Sequence, residues 1–251
     1  MPLINSSLKH PLKLMRSNYI FILILAIFIS SCGKSKTKVE QYKAQLAQIQ
    51  KEAAAQEEQE RIHQEKIEVG DSKKKIFLTN ELDRVKKILQ EEENNLAEIE
   101  EFQIGRSSST KERQLFEQQK QIKKIENYIT SIEEEISLIH LHQTFDFQDS
   151  PEGVLGYIFK AAEEREFDKL RHLLDPYFEN DADAGGIGWV QMQPAEMQDI
   201  FVDNFKTGRI KGETEMENNT ARIEIAMGSS SARLKKITLV KRMDKWYLSS
   251  L

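Results

Sequence analysis

The chain has 251 residues, 31% of them charged and only 8% aromatic, with 36 basic against 41 acidic side chains and a formal charge of −5. That balance argues against nucleic acid as a partner, because phosphate neutralisation needs cations gathered on one surface. Cys32 is the single cysteine, which excludes a disulfide framework and a cysteine zinc site, and the high charge predicts that much of the chain lies outside a large core.

Residues 19–29, YIFILILAIFI, form an uninterrupted apolar run, preceded by Lys9, Lys13 and Arg16 and followed by Ser30, Ser31 and Cys32. A basic start, an apolar middle and small residues before a cut predict a secretory signal peptide over residues 1–31. The run is short of the roughly 20 apolar residues that cross a bilayer comfortably. Its end, Ile29-Ser30-Ser31-Cys32-Gly33, resembles the lipobox of bacterial lipoproteins. Ser31 stands where Gly or Ala is usual, and a start at Met15 would give a leader of more typical length. The resemblance implies cleavage before Cys32, diacylation of its sulfur and acylation of the new amine with a palmitate-type chain. One acyl chain anchors a protein only marginally, at about 0.8 kcal/mol per buried CH₂, whereas two or more hold it stably. The alternative is a plain signal peptide, or an uncleaved anchor, with an incidental cysteine. Cleavage removes three basic and no acidic residues, leaving 33 against 41 and a formal charge of −8.

Residues 32–38 read as a lipidated tether, GKSKTK after the cysteine, whose lysines can lie against anionic headgroups or remain solvated. No acidic residue follows Cys32 directly. Among lipoproteins an Asp there favours inner-membrane retention, and an acidic stretch marks surface export in Bacteroidetes. The resemblance therefore implies the outer membrane, facing the periplasm.

Residues 39–143 contain no proline and are predicted to form a coiled-coil stalk with breaks near 70–72 and 105–109. Val39, Tyr42, Leu46, Ile49 and Ala53 recur at spacings of three and four, a narrow apolar seam. Gly70-Asp71-Ser72 reads as an interruption with a cap for the next helix. That helix carries Leu78, Leu82, Val85, Leu89, Leu96 and Ile99 on one seam, with Glu92 in the remaining core slot. A lone charge there fixes register or leans out to solvent. After GRSSS at 105–109, Ser109 and Glu112 have the spacing of a capping box. The third helix has the cleanest seam: Ile122, Ile125, Ile129, Ile132, Ile136 and Ile139. The second and third helices are expected to fold back as an antiparallel hairpin. Isoleucine at both seam positions favours three or more helices, the third coming from the first helix or from a second molecule. His140 and His142, two apart, point about 200° away from each other on a helix and make a poor metal pair.

The composition changes at Asp149. Ser150-Pro151-Glu152 is a helix start, and Val154, Leu155, Ile158, Phe159 and Ala162 line one face of the helix that it opens. Residues 166–174 are expected to form a short second helix stopped by Pro176, with His172 facing solvent; residues 179–188 an acidic, glycine-rich loop; and residues 194–205 a third helix. Beyond Gly208 the period falls to two, predicting four antiparallel strands with turns at Asn218-Asn219, 228–231 and Asp244-Lys245. Helices followed by a strand meander give an α+β class. SPEGVLGYIFKAAEEREFDKLRHLL, followed by the strand ending KRMDKWYL with Asp244, Lys245 and Trp246, resembles the nuclear-transport-factor-two-like superfamily, in particular the small domains of unknown function carried by bacterial lipoproteins. The resemblance covers residues 149–251. It implies a curved sheet wrapped around helices, a cone whose mouth can hold a small ligand.

Some members of that fold are isomerases or dehydratases with an Asp or His inside the cone and a Tyr opposite. Here His172, Asp175, Tyr157 and Tyr177 have the right chemistry, but no spacing places them in a perturbed environment, and fold analogy alone licenses no activity. Asp181 and Asp183 in NDADAGG fall short of a calcium loop, with Gly185 and Met192 at later ligand positions. The reading is thus a non-enzymatic envelope lipoprotein, without cofactor or metal, held by lipid on Cys32. A coiled-coil spacer presents a small binding domain to an envelope partner or mediates a homo-oligomer. The competing reading is a small-molecule-binding or weakly catalytic cone.

Overall fold

The computed structural model describes residues 36–101 and 108–251; the expected signal peptide, Cys32 and residues 102–107 of the expected break lie outside them. No described helix is long and apolar enough to cross a membrane. The chain divides into two compact units, residues 1–59 and 60–251. In the first, the described residues belong to helix α1 (Lys36–Glu101), and from Glu40 onward their side chains are exposed except for half-buried Leu46. Gln48 donates to Glu52 one turn on, at 2.7 Å.

Within residues 60–251, α1 runs unbroken through Gly70-Asp71-Ser72, where a break was expected. Gly70 is present for proximity. A Cβ built on it would stand 2.1 Å from the carbonyl oxygen of Pro176, so only a glycine lets the helix meet that backbone. The helical ladder tolerates one such residue at about 1 kcal/mol. Helix α2 (Ser108–Ser137) starts one residue before the expected cap and returns antiparallel along α1. Lys86 pairs with Glu133 at 3.0 Å, Tyr128 donates to Glu81 at 3.2 Å, and Lys111 reaches the carbonyl of Glu100 at 2.6 Å. The predicted seam is the one buried: Leu78 and Val85 meet Ile125, Ile129 and Ile132, with Leu82, Leu89 and Ile136 packed against them. Glu92 faces inward and accepts from Gln118 across the hairpin at 2.6 Å, so its core slot has a partner.

The C-terminal part is α+β. Helix α3 (Pro151–Glu164) begins on the expected cap, the Ser150 hydroxyl accepting from the Gly153 amide at 3.1 Å. In place of the expected second helix there is a short 3₁₀ turn, Leu170–Leu173. In place of the acidic loop there is a short helix α4 (Ala182–Gly188), capped by Asp181, whose Oδ1 accepts from the Ala184 amide at 2.8 Å. Helix α5 (Ala195–Phe205) follows another 3₁₀ turn, Val190–Met192. Strands β1 (Arg209–Glu217), β2 (Thr220–Met227), β3 (Arg233–Arg242) and β4 (Lys245–Ser250) make an antiparallel meander in the order β1-β2-β3-β4. One face is apolar: Ala221, Ile223, Ile225, Ile237, Leu239 and Leu248 are buried against α3, α5 and the 3₁₀ turn, while Arg222 and Glu224 face solvent. A register shift between Lys211 and Glu215, with Gly212 at φ +72°, distorts the exposed edge strand.

The hairpin packs directly on the α+β part. Leu174, Trp189 and Met192 pack into the same apolar cluster as Leu78, Val85 and the isoleucines of α2. Phe77 of α1 stacks on Trp189 with ring centroids 4.9 Å apart. The division falls at residues 59–60 rather than near 143–149.

Candidate functional site: an apolar groove and a polar cavity

Among the concavities that residues 60–251 build, two have linings with distinct chemistry. The larger, about 490 Å³, lies between α4, α5 and the β2–β3 turn. Amphipathic α5 buries Phe201 and Phe205 and leaves Met197 and Ile200 about half exposed; Leu234, at the start of β3, is 60% exposed. These three side chains rim an apolar floor that includes Ile187, Val190 and Met227. The charged groups around it are mutually engaged. Lys235 lies 3.6 Å from Asp183, and Arg233 donates to the Asn204 side-chain oxygen, Oδ1. Such a concavity has the size of small-ligand sites, and its methionines adapt to irregular shapes.

The smaller, about 150 Å³, sits where the hairpin base meets the α+β part. α1 contributes His63 and Lys74, α2 contributes Glu135, and the segment after α2 contributes His142 and Thr144. The 3₁₀ turn adds Arg171 and His172, and β4 adds Tyr247. Its one carboxylate is engaged. Glu135 forms an ion pair with Arg171 at 3.0 Å, both mostly buried. Behind the wall, Asp71 pairs with His142 at 2.8 Å. Fully buried Asp175 holds Arg242 through two bonds, 3.0 and 2.6 Å, and accepts from the Tyr177 amide at 3.1 Å. The Arg242 guanidinium lies 4.4 Å from the centre of the Tyr177 ring, and Tyr177 shares a 2.6 Å hydrogen bond with His63 Nδ1.

Burial shapes the protonation of this cluster. It pushes the Lys74 ammonium below its ordinary value and the Glu135 carboxyl above its own. Burial, with the Arg171 charge beside it, holds His172 down at about 4. His63 is lowered by burial and by Arg242, and Tyr247 is raised to about 12 by burial. All are shifted toward neutral forms, the signature of titratable groups in a low-dielectric pocket.

Of the residues singled out from sequence, Cys32 lies outside the described residues. His172 lines the small cavity instead of facing solvent, because a 3₁₀ turn of three residues per turn replaces the 3.6-residue period on which the expectation rested. Asp175 and Tyr177 stand just behind that cavity, whereas Tyr157 lies apart, stacked on Phe147 at 4.1 Å. Asp181 serves as a helix cap, and its Oδ2 accepts from the Leu251 amide at 3.1 Å. Among the described residues, no three His, Cys, Asp or Glu are grouped to hold a metal ion. Lys74, Glu135 and Arg171 were missed. Lys74 sits inside the KKK run at 73–75 and Glu135 inside EEE at 133–135, and such runs ordinarily mark solvated faces. The one signal in the sequence is that Glu135 falls three residues after Ile132, next to the seam. Comparison with known protein families, curated proteins and solved structures finds no match to this chain.

Proposed function

We propose that this chain is a non-enzymatic lipoprotein of the bacterial envelope, anchored through acyl groups on Cys32, whose C-terminal part binds an envelope partner. The periplasmic face of the outer membrane is the compartment that the lipobox-like ISSC and the absence of an acidic residue after it favour. The observation supporting a binding role is the groove of about 490 Å³ rimmed by exposed Met197, Ile200 and Leu234. Three large apolar side chains left in water around a concave apolar floor form a patch that a partner's apolar side chains can cover. The groove lies between helices and sheet, where the resemblance to nuclear-transport-factor-two-like domains expects the mouth of a cone. A non-catalytic reading is supported by the polar cluster, in which Glu135 and Asp175 are each held by an arginine and Asp71 by His142. The same groove supports a second reading, a small apolar ligand, because its volume falls in the range of small-molecule sites.

The experiment is photo-crosslinking in cells with a photoreactive side chain at position 200, combined with fractionation and palmitate labelling. The expected outcome is an acyl-labelled protein in the membrane fraction, crosslinked at residue 200 to a second envelope protein. Cys32→Ser should lose the label and that fraction. A Cys32→Ser chain that labels and fractionates like the original removes the anchor. A residue-200 crosslinker that captures nothing removes the partner.

A further inference from the structure

Besides Lys74, the cavity at the hairpin base is lined by His63, His142, Arg171, His172 and a single carboxylate, Glu135, and they leave the Lys74 ammonium unanswered. Among the described residues, Lys74 Nζ makes no hydrogen bond and no ion pair within 4 Å. The three carboxylates whose charge it feels are Asp71, Asp175 and Glu135. Each is committed elsewhere, to His142, to Arg242 and to Arg171. The second oxygen of Asp71 is buried without a partner, but Asp71 does not line the cavity. A mostly buried ammonium whose nearby carboxylates are all engaged by other partners, and which is in direct contact with none, is costly to keep charged, and a bound anion would offset that cost.

We propose that this cavity is the binding site for a small monocarboxylate, its carboxylate on Lys74 Nζ and its apolar body against Ile67, Leu78, Ile139 and Leu174. Three observations select that chemistry. The space is about 150 Å³ and partly enclosed, which limits the ligand to a few heavy atoms beyond its charged group. One cation is unpaired, so a monoanion balances the site where a dianionic phosphate would overcharge it. The walls opposite the polar side are aliphatic, and a short hydrocarbon body fills them where an inorganic oxyanion would not. The Tyr247 side chain and the Thr144 hydroxyl also line the space and can donate to the second carboxylate oxygen. Burial lowers Lys74, His63 and His172, with Arg242 adding to it at His63 and Arg171 at His172, and a bound anion would draw all three back toward their charged forms. The site lies apart from the groove and does not depend on it.

The test is calorimetric titration of the full chain in detergent with butyrate, its neutral isostere butyramide, and inorganic phosphate. Butyrate is expected to bind one per chain and saturably, and butyramide about tenfold or more weaker, the loss of a charge-assisted contact. Lys74→Met should weaken butyrate by about tenfold or more, while Lys74→Arg stays within about threefold of the original. Lys74→Gln gives the same loss should the Met variant not fold, and Ile200→Glu in the groove should leave butyrate binding unaltered. The proposal is overturned by no saturable butyrate binding, by butyramide or phosphate binding as tightly as butyrate, or by folded Lys74 variants that bind as the original does.

Discussion

Gly70→Ala separates two descriptions of helix α1 by the sign of its effect. On a helix free of tertiary contact the substitution stabilises, since alanine exceeds glycine in the helix interior by about 1 kcal/mol. In this structure the new Cβ would stand 2.1 Å from the Pro176 carbonyl oxygen and 3.0 Å from two Tyr177 backbone atoms. Both sides of that contact are backbone, so no rotamer change relieves it; the helix must retreat by roughly 1 Å. That retreat opens the packing of Leu78 and Trp189 and strains the Tyr177–His63 hydrogen bond. Overpacking of this kind costs about 1–3 kcal/mol, and offsetting the propensity gain leaves a net loss of up to about 2 kcal/mol. For a chain of this size that is a fall of up to about 4–8 °C in Tm. Urea unfolding of the full chain in detergent measures it directly, with Gly156→Ala as control: Gly156 lies in α3 and its built Cβ meets nothing within 4 Å. A Gly70→Ala chain as stable as, or more stable than, the original would mean that the hairpin base is not held against the Pro176 backbone.

Asp175→Ala should cost about 3 kcal/mol, because it removes both Asp175 bonds of the Arg242 guanidinium and leaves it only the exposed Glu179 carboxylate at 2.6 Å. Adding Arg242→Met should recover part of that loss, as a double-mutant cycle in urea would show. His172 titrates at about 4 when folded against an ordinary 6.5, so the unfolded chain takes up a proton that the folded chain refuses. Its contribution is therefore complete above pH 6.5 and is lost as the pH falls toward 4. Since the ring is half-exposed, the expected loss is roughly 1–2 kcal/mol, read as the extra drop in urea midpoint between pH 7 and pH 4.5 relative to His172→Gln. Finally, residues 149–251 expressed alone should bind a hydrophobic dye and self-associate, because Leu174, Trp189 and Met192 lose the hairpin that buries them. A monomeric, dye-silent fragment would contradict the shared cluster.

Periodicity made the elements legible wherever an element is long enough to repeat. The isoleucines of α2 and the alternating residues of β2 are buried as their spacing requires. The cap Ser150, the N-terminal Pro151 and the strand turns were visible because their chemistry is local. Short elements were not. Helix α4 spans residues 182–188 and contains three glycines, so composition argued for a loop; what forms it is the Asp181 cap and packing of Gly188 against Leu174. Gly70 shows the same limit from the other side. Its local meaning is a break, and its actual reason is a carbonyl more than a hundred residues away. The polar cavity was hidden because its members come from α1, α2, a 3₁₀ turn and β4, and nothing in a KKK run says which lysine turns inward.

The polar contacts also answer a question that the apolar seam raises. Ile122, Ile129 and Ile136 recur every seven residues, as do Ile125, Ile132 and Ile139, so a slip of one heptad, about 10 Å along the helix, would replace isoleucine with isoleucine. Apolar burial alone therefore discriminates weakly between registers. What has no equivalent seven residues away is the set of directional contacts. Gln118 bonds both the carbonyl and the carboxylate of Glu92, Tyr128 donates to Glu81, Arg171 pairs with Glu135, and Gly70 lies on Pro176. A slip in one sense sets Gln118 and Tyr128 opposite Ile99 and Ile88, and in the other opposite Val85 and Lys74, none with an acceptor side chain. A slipped hairpin would bury unpartnered amides and charges at several kcal/mol in total, which is ample to single out one register. On this view the buried charges at the hairpin base contribute more to which structure forms than to how stable it is. Replacing Gln118 with Leu then has a definite expected result: stability within about 1 kcal/mol of the original and still one set of amide resonances along α2, because Tyr128, Arg171 and Gly70 go on holding the register.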